Sequence, residues 1–370
     1  MKILQTVKYY EPSRGGMESV VKDIVQGVSA AHEDFEFTVY SNHHIAHNKK
    51  VLQIEGNISV IKEKTPFIFR SQPLNLMYNS LKQLISTHDI IHHHYPFPNM
   101  EMALMRYSTL LVNKKLIITW HANIKNSRWS FIEKYYTPLI RKLLDRADHI
   151  IVTSPQLLEA SDILSDYREK VTTIPLSFAT TNLNVSPKEL EIAKRKSILF
   201  VGKLRNYKGV RFLIDAIVGL DVHLDIVGNG EEESNLIAQV EELELTSNVT
   251  FWKDVDDEQL SDIYKSADLF VLPSINEAEA FGVVQLEAMS NGLPVINTNL
   301  KSGVPYVSVH GDTGLTVEPA NSDVLNKAIQ RIFSDKQLYD KFSTQSLKRS
   351  KLFTREVMAD AYYKIYNKVV

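Results

Sequence analysis

Short β-branched, apolar runs, each followed by a helical pattern, recur along all 370 residues of the chain. Alternation of this kind is closed by parallel pairing, because each helix carries the chain back to the same end of the sheet, and parallel sheets are covered on both faces. A first set of candidate strands comprises Lys2–Val7, Phe35–Tyr40, Ile58–Ile61, Ile90–His92, Leu116–Trp120, His149–Thr153 and Val171–Ile174. A second comprises Ser197–Val201, Val222–Val227, Val249–Phe251, Leu269–Leu272, Pro294–Asn297 and Leu315–Val317. The polar stretch from Thr180 to Lys196, with Pro187 and many charges, separates them as a linker would.

A chain of 370 residues exceeds what one hydrophobic core usually holds. The expected fold class is therefore α/β, with two doubly wound parallel-sheet, Rossmann-like domains facing across a cleft. Residues 1–185 form the first domain and 186–352 the second. Met358, Tyr362, Ile365, Tyr366 and Val369 recur at helical spacing in the last segment, 353–370. That apolar stripe is expected to pack back onto the first domain. Ligands of doubly wound sheets bind outside the carboxyl ends of the strands, which makes the cleft the default active site.

Composition removes several function classes. A net charge of −2 argues against nucleic acid as partner. The absence of cysteine excludes disulfides and thiolate chemistry and takes away the commonest zinc ligand. No apolar run reaches the roughly 18–20 residues of a membrane span, and Met1–Val7 reads as a first strand, not a signal peptide. The expected location is the cytoplasm.

Five turns at strand ends carry the candidate chemistry. In Glu279-Ala280-Phe281-Gly282-Val283-Val284-Gln285-Leu286-Glu287, two carboxylates stand eight positions apart around a loop-to-helix glycine. Gly282 allows close backbone approach, and a helix start offers amide N–H groups to an anion, so the segment reads as a diphosphate seat with an acid at each end. At 1.5 Å per residue, Glu287 lies about 7–8 Å along the helix from Gly282, which gives the two acids separate tasks. Gly202-Lys203-Leu204-Arg205-Asn206-Tyr207-Lys208-Gly209 puts three cations at a strand end; the reading is an anion site, against a solvated basic turn. Gly228-Asn229-Gly230 lacks the last glycine of a dinucleotide fingerprint, since Glu233 occupies that place, and reads better as a tight turn. Gly15-Gly16 opens a helix after the first strand, and His121 ends a strand, where it can hydrogen-bond a substrate hydroxyl or phosphate.

Two further segments are open to a functional and a bland reading. In His92-His93-His94, the first and third share a face of a strand, but no neighbouring acid completes a metal site; His43, His44 and His47 stand in the same position. Lys125, Arg128, Trp129, Lys134, Tyr135, Tyr136, Arg141, Lys142 and Arg146, with Leu139, Leu143 and Leu144, suit an anionic membrane surface or an ordinary amphipathic helix.

Taken together, these segments resemble the retaining glycosyltransferases of family 4, with the two-domain GT-B fold, over nearly the whole chain. The most specific part is Glu279 to Glu287 with the trailing Ala288-Met289-Ser290-Asn291-Gly292-Leu293-Pro294-Val295. Only Glu279, not Glu277, stands two before Phe-Gly and eight before Glu287. The resemblance implies that Lys203 and Lys208 neutralise a donor diphosphate, with Arg205 assisting because the family usually has arginine at Lys203. It implies that Glu279 holds hydroxyls of the donor sugar and Glu287 those of the ribose. Amides of Phe281, Gly282 and Val283 would hold phosphate oxygens, Gly16 would cap the diphosphate, Gly228 would edge the donor site, and His121 would touch the sugar's outer hydroxyls or the leaving phosphate.

The run Asn297 to Tyr306 looks most like enzymes of O-antigen, capsule or exopolysaccharide assembly, many of which use GDP-mannose. The expected activity is thus transfer of a hexose, mannose first, from a nucleotide-sugar to a glycan or lipid-linked oligosaccharide. Peripheral contact with the inner face of the plasma membrane would follow. The expected chemistry is front-face attack with retention, without metal or other cofactor, because lysines and a helix start address the charge on the departing phosphate. Alternatives are a UDP-sugar donor (glucose or N-acetylglucosamine), a GT-B sugar-nucleotide epimerase, an inactive or scaffold protein, and an NAD-dependent oxidoreductase.

Overall fold

The computed structural model describes residues 1–13, 15–47, 49–69, 72–75, 78–123, 133–178, 185–191 and 194–370. The expectations placed on Lys125, Arg128 and Trp129, on the side chains of Lys134 and Tyr135, and on part of the 180–196 stretch lie outside the described residues.

The chain divides into two compact units, Met1–Ser177 with Arg355–Val370, and Phe178–Thr354. The crossing falls at Ser177, upstream of the expected 185. Phe178 is buried and its amide donates to the Phe353 carbonyl at 3.3 Å, so the second unit claims the chain before the polar stretch begins.

The first unit contains β1 (Lys2–Tyr9), β2 (Glu36–Asn42), β3 (Val51–Glu55), β4 (Ile58–Glu63), β5 (Phe67–Phe69), β6 (Gln72–Leu74), β7 (Ile90–Tyr95), β8 (Lys115–Trp120), β9 (His149–Val152) and β10 (Val171–Thr173). Its main sheet runs β10-β9-β8-β7-β1-β2-β4-β3, parallel except for β3, and β5 pairs with β6 in a separate hairpin. The second unit contains β11 (Lys196–Val201), β12 (Val222–Val227), β13 (Val249–Trp252), β14 (Leu269–Leu272), β15 (Val295–Thr298) and β16 (Gly314–Val317). They form one parallel sheet, β13-β12-β11-β14-β15-β16. Strands β7, β9, β14 and β15 are buried at every position, as parallel strands covered on both faces must be.

Each strand order reverses once. In the first unit the chain moves outward from β1 through β2 in one direction and from β7 through β8, β9 and β10 in the other. In the second the split lies between β11 and β14. Such a reversal opens a crevice at the carboxyl ends, because the two flanking loops leave in opposite directions.

The last helix, Arg355–Val369, belongs to the first unit and buries Met358, Ala359, Tyr362, Ile365 and Tyr366. Burying each large side chain contributes about 1.5–3 kcal/mol. Val369, the last residue of the expected stripe, is only half-buried at the helix end. The helix meets Gly16–Ala31 closely: a Cβ on Gly27 would stand 2.8 Å from that of Ala359. Arg355 pairs with Asp23 there at 2.7 Å.

Candidate active site

In the second unit, the loops leaving β11 and β14 flank the strand-order reversal, and they carry the cations and the first acid. Gly209 takes a left-handed conformation (φ 66°), and a Cβ there would lie 2.1 Å from the Pro273 carbonyl oxygen. Only glycine permits that approach. It presses the Tyr207–Lys208 turn onto the end of β14, where the Ile275 amide donates to the Tyr207 carbonyl at 2.8 Å. Lys208 Nζ thereby reaches Glu279 Oε2 at 2.5 Å, and Ser274 Oγ donates to the same oxygen at 3.0 Å. Both ionic side chains are about 10% exposed. A pair this buried is held by mutual charge, and removing one partner strands the other. Glu277, two residues away, is exposed. The spacing rule therefore selects the carboxylate that the fold buries.

The seat between the two acids is rigidly braced. Gly282 has φ 75°, and a Cβ there would meet both Leu272 Cδ2 and Gln285 Nε2 at 2.7 Å. The Gly303 amide donates to the Ala280 carbonyl at 2.7 Å, and a Cβ on Gly303 would strike the Phe281 ring at 2.6 Å. Gln285, fully buried, accepts from Asn297 Nδ2 at 2.8 Å. The helix begins at Val284 and is seven residues long. Among the described residues, the amides of Phe281, Gly282 and Val283 donate to no backbone carbonyl.

Glu287, on that helix, accepts a hydrogen bond from the Tyr264 hydroxyl at 2.7 Å on Oε2. Burial pushes its carboxyl above the usual carboxylate range, and the Tyr264 bond opposes the shift. Burial, followed by the Glu287 charge, pushes the Tyr264 hydroxyl well up, so it stays a donor.

Lys203 and Arg205 are exposed, and Lys203 Nζ donates to Asn229 Oδ1 at 2.7 Å. Gly228 (φ 137°) comes so close to Gly202 that a Cβ would lie 2.1 Å from its carbonyl oxygen; a Cβ on Gly230 would lie 2.3 Å from that of Leu204. The Gly228–Gly230 turn is thus a packing device that props the β11 loop.

In the first unit, Gly16 starts its helix with nothing within 4 Å of where a Cβ would stand, which leaves the approach to this turn open. His121 follows β8, is half-buried, and contacts His94 Nδ1 through Nε2 at 2.9 Å. Burial, then the charge of His93, lowers its pKa to about 3. His92, His93 and His94 are fully buried and hydrogen-bonded. His92 and His94 face one side of the sheet, while His93 turns to Thr6 and to Glu101. His43 and His47 stack at 4.2 Å, and among the described residues no group of three or more His, Asp or Glu is placed to hold a metal ion.

The basic-aromatic helix, Glu133–Arg146, spends its apolar face on the core: Tyr136, Ile140, Leu143 and Leu144 are buried and Leu139 packs beside them. Arg141 and Arg146 pair with Asp166 (2.6 Å) and Asp148 (3.0 Å). No helix among the described residues is long and apolar enough to cross a membrane.

Reading by motif missed four supports: Ser274 and Asn229, which hold Glu279 and Lys203; Tyr264, which holds Glu287; and Gln285, which braces the seat. Asn229 and Gln285 lie inside the quoted motifs and Ser274 directly follows Pro273, whereas Tyr264 carried no local signal.

Two doubly wound, mainly parallel sheets, with a buried lysine–glutamate pair and glycine-bearing turns at the strand-order reversal of one, define the GT-B class of glycosyltransferases. Residues 14–180 match the family model described as Glycosyltransferase Family 4, and residues 184–349 that of Glycosyl transferases group 1. D-rhamnosyltransferase WbpZ of Pseudomonas aeruginosa is 30% identical over 91% of this chain and 88% of its own. O-antigen chain mannosyltransferase C of Escherichia coli is 26% identical over 99% and 98%. Sucrose-phosphate synthase from Thermosynechococcus elongatus shares the fold at a TM-score of 0.79 and 22% identity, covering 100% of this chain and 98% of that one. The chain belongs to the family 4 glycosyltransferases.

Proposed function

We propose that this glycosyltransferase moves a hexose from a nucleotide-sugar onto a hydroxyl of a glycan or lipid-linked oligosaccharide during cell-surface polysaccharide assembly, with retention at the anomeric carbon. The observation that carries the reading is the buried Lys208–Glu279 pair at the reversal point of the second sheet. Each member has a second partner waiting in such a donor: Lys208 exchanges its carboxylate for the β-phosphate, which frees Glu279 for the sugar hydroxyls. Lys203 and Arg205, exposed on the same loop, add charge against the departing phosphate, and the amides of Phe281, Gly282 and Val283 take its oxygens. Glu287, with one oxygen held by Tyr264, offers the other to the ribose hydroxyls. The family resemblance assigns Gly16 to the diphosphate and His121 to the sugar.

These side-chain cations and amides stabilise the leaving group without calling on a metal. Two carboxylates acting on one glycosidic bond must flank it. Glu279 and Glu287 are tied to different partners, Lys208 and Tyr264, which suits different parts of the donor. We therefore assign front-face attack, with the departing phosphate accepting the acceptor's proton. Mannose from GDP-mannose is the first donor to test, in keeping with the name of the Escherichia coli relative, a mannosyltransferase. A lipid-linked acceptor would bring the protein to a membrane surface by way of its substrate, since the apolar face of Glu133–Arg146 is buried.

The test is a panel of GDP-, UDP-, ADP- and dTDP-sugars read first by thermal shift, because a ligand of the native state raises its stability. The stabilising donor is then incubated with and without a lipid-linked acceptor, and the product's anomeric configuration is read by NMR. Acceptor-dependent transfer with retention is expected. A donor altered without acceptor would mean an epimerase, and an inverted product would remove the front-face mechanism.

A further inference from the structure

We propose that a buried hydrogen-bond chain in the first unit fixes His121 as the neutral Nε2–H tautomer, so that its Nδ1 accepts a hydrogen bond from a hydroxyl of the bound sugar. Gln5 and His94 are then positioning residues. The sugar contact rests on the placement of His121 in the donor site given above; the tautomer does not.

The chain begins at His121 Nε2, 2.9 Å from His94 Nδ1. It continues from His94 Nε2 to Gln5 Oε1 (2.8 Å), from Gln5 Nε2 to the Tyr366 hydroxyl (2.9 Å), and from there to His92 Nδ1 (2.8 Å). His92 Nε2 meets Thr119 Oγ1 at 2.7 Å, and Thr119 meets the Tyr362 hydroxyl at 3.3 Å. Gln5, His92, His94, Thr119 and Tyr366 are fully closed to solvent, and Tyr362 nearly so. Burial holds His92 and His94 well below the usual histidine range, so both are neutral.

Hydroxyls and neutral imidazoles can each reverse their role, but a carboxamide cannot: its oxygen only accepts and its nitrogen only donates. Gln5 therefore sets the direction of the whole chain. Its oxygen faces His94, so His94 Nε2 carries the proton and His94 Nδ1 is the acceptor. His121 Nε2 must then be the donor, and a neutral ring protonated there has a bare Nδ1. Among the described residues no group bonds His121 Nδ1. The ring's own backbone amide is occupied by the Tyr95 carbonyl at 3.0 Å, which fixes where the side chain begins. A neutral acceptor suits a sugar hydroxyl and gives nothing to a phosphate, which resolves the two roles that the sequence left open for His121.

The deciding experiment is a long-range proton–nitrogen NMR spectrum of the full chain labelled with 15N-histidine, with His121 identified by the loss of its signals in His121→Asn. The ligand-free protein should show His121 protonated on Nε2 and bare on Nδ1. In Gln5→Met, which loses both bonds, His121 should become a mixture of tautomers while the fold persists by circular dichroism. A wild-type ring protonated on Nδ1 would overturn the proposal, as would an unchanged tautomer in a folded Gln5→Met; if that variant does not fold, the wild-type spectrum alone decides. Adding GDP-mannose, but not GDP, should then move the Nδ1 resonance. A resonance that stays fixed while the sugar nucleotide stabilises the protein would overturn the sugar contact. Absence of stabilisation by any donor would count against the donor assignment instead.

Discussion

At the end of β14 the second unit buries a charged pair, Lys208 and Glu279, whereas along β1 and β7 and at the end of β8 the first unit buries a line of neutral groups. Both arrangements sit where a strand order reverses, and both cost desolvation. The charged pair offsets part of it by Coulomb attraction, and removing either partner strands the other charge. The histidine line repays it with hydrogen bonds whose direction is fixed, and carries orientation instead of charge. Under the proposed function, the charged pair suits a diphosphate and the neutral line suits hydroxyls.

The largest effect should come from breaking the charged pair. Lys208→Ala should weaken nucleoside-diphosphate binding by about 1.5–3 kcal/mol, the range for hydrogen bonds to charged groups. It should also lower the folding stability by about 3 kcal/mol, because Glu279 is left buried without its partner. Calorimetry and thermal unfolding read the two effects separately, and unchanged affinity would remove Lys208 from the site.

The neutral line predicts an acid response of the folding stability. Unfolded histidines titrate near 6.5, while His92 and His94 are held well below that and His121 down to about 3. As pH falls below about 6.5, the unfolded chain takes up protons that the folded unit refuses. The stability is therefore fully present above that pH and lost progressively below it. Thermal unfolding followed from pH 8 to pH 5 should show the loss, and His92→Gln with His94→Gln should flatten it; an acid-insensitive wild type would contradict the buried neutral line.

A smaller effect sharpens the division of labour within the second unit. Tyr264→Phe removes the bond to Glu287 and should weaken binding of a ribonucleoside diphosphate by about 0.5–1.5 kcal/mol. The 2′,3′-dideoxy analogue should be affected less. Equal loss for both would place Glu287 away from the ribose.

The contrast also explains what the sequence disclosed. The strand–helix alternation located all thirteen expected strands, because parallel, doubly covered strands leave dense β-branched runs. It missed β3, exposed at a sheet edge, and the short β5–β6 hairpin, which need no such runs. The charged site was legible because its parts are local: Gly209 lies beside Lys208, and Glu279 stands at a fixed spacing before Glu287. The neutral line was not. Gln5, His94, His121 and Tyr366 are spread from the first strand to the last helix, and only the sheet register, which sets Gln5 opposite His92, brings them together. His92-His93-His94 was visible as a motif, but its partners were not.

The central claim is that Glu279 serves the reacting sugar and Lys208 the phosphate. It is tested most directly by Glu279→Gln, which keeps the side chain's shape while removing its charge. With the stabilising donor and its acceptor, the turnover rate should fall about 10²–10³-fold, the cost of removing one transition-state contact of this kind, while calorimetric affinity for the nucleoside diphosphate stays within a few-fold of wild type. A variant that transfers at near the wild-type rate would contradict the account.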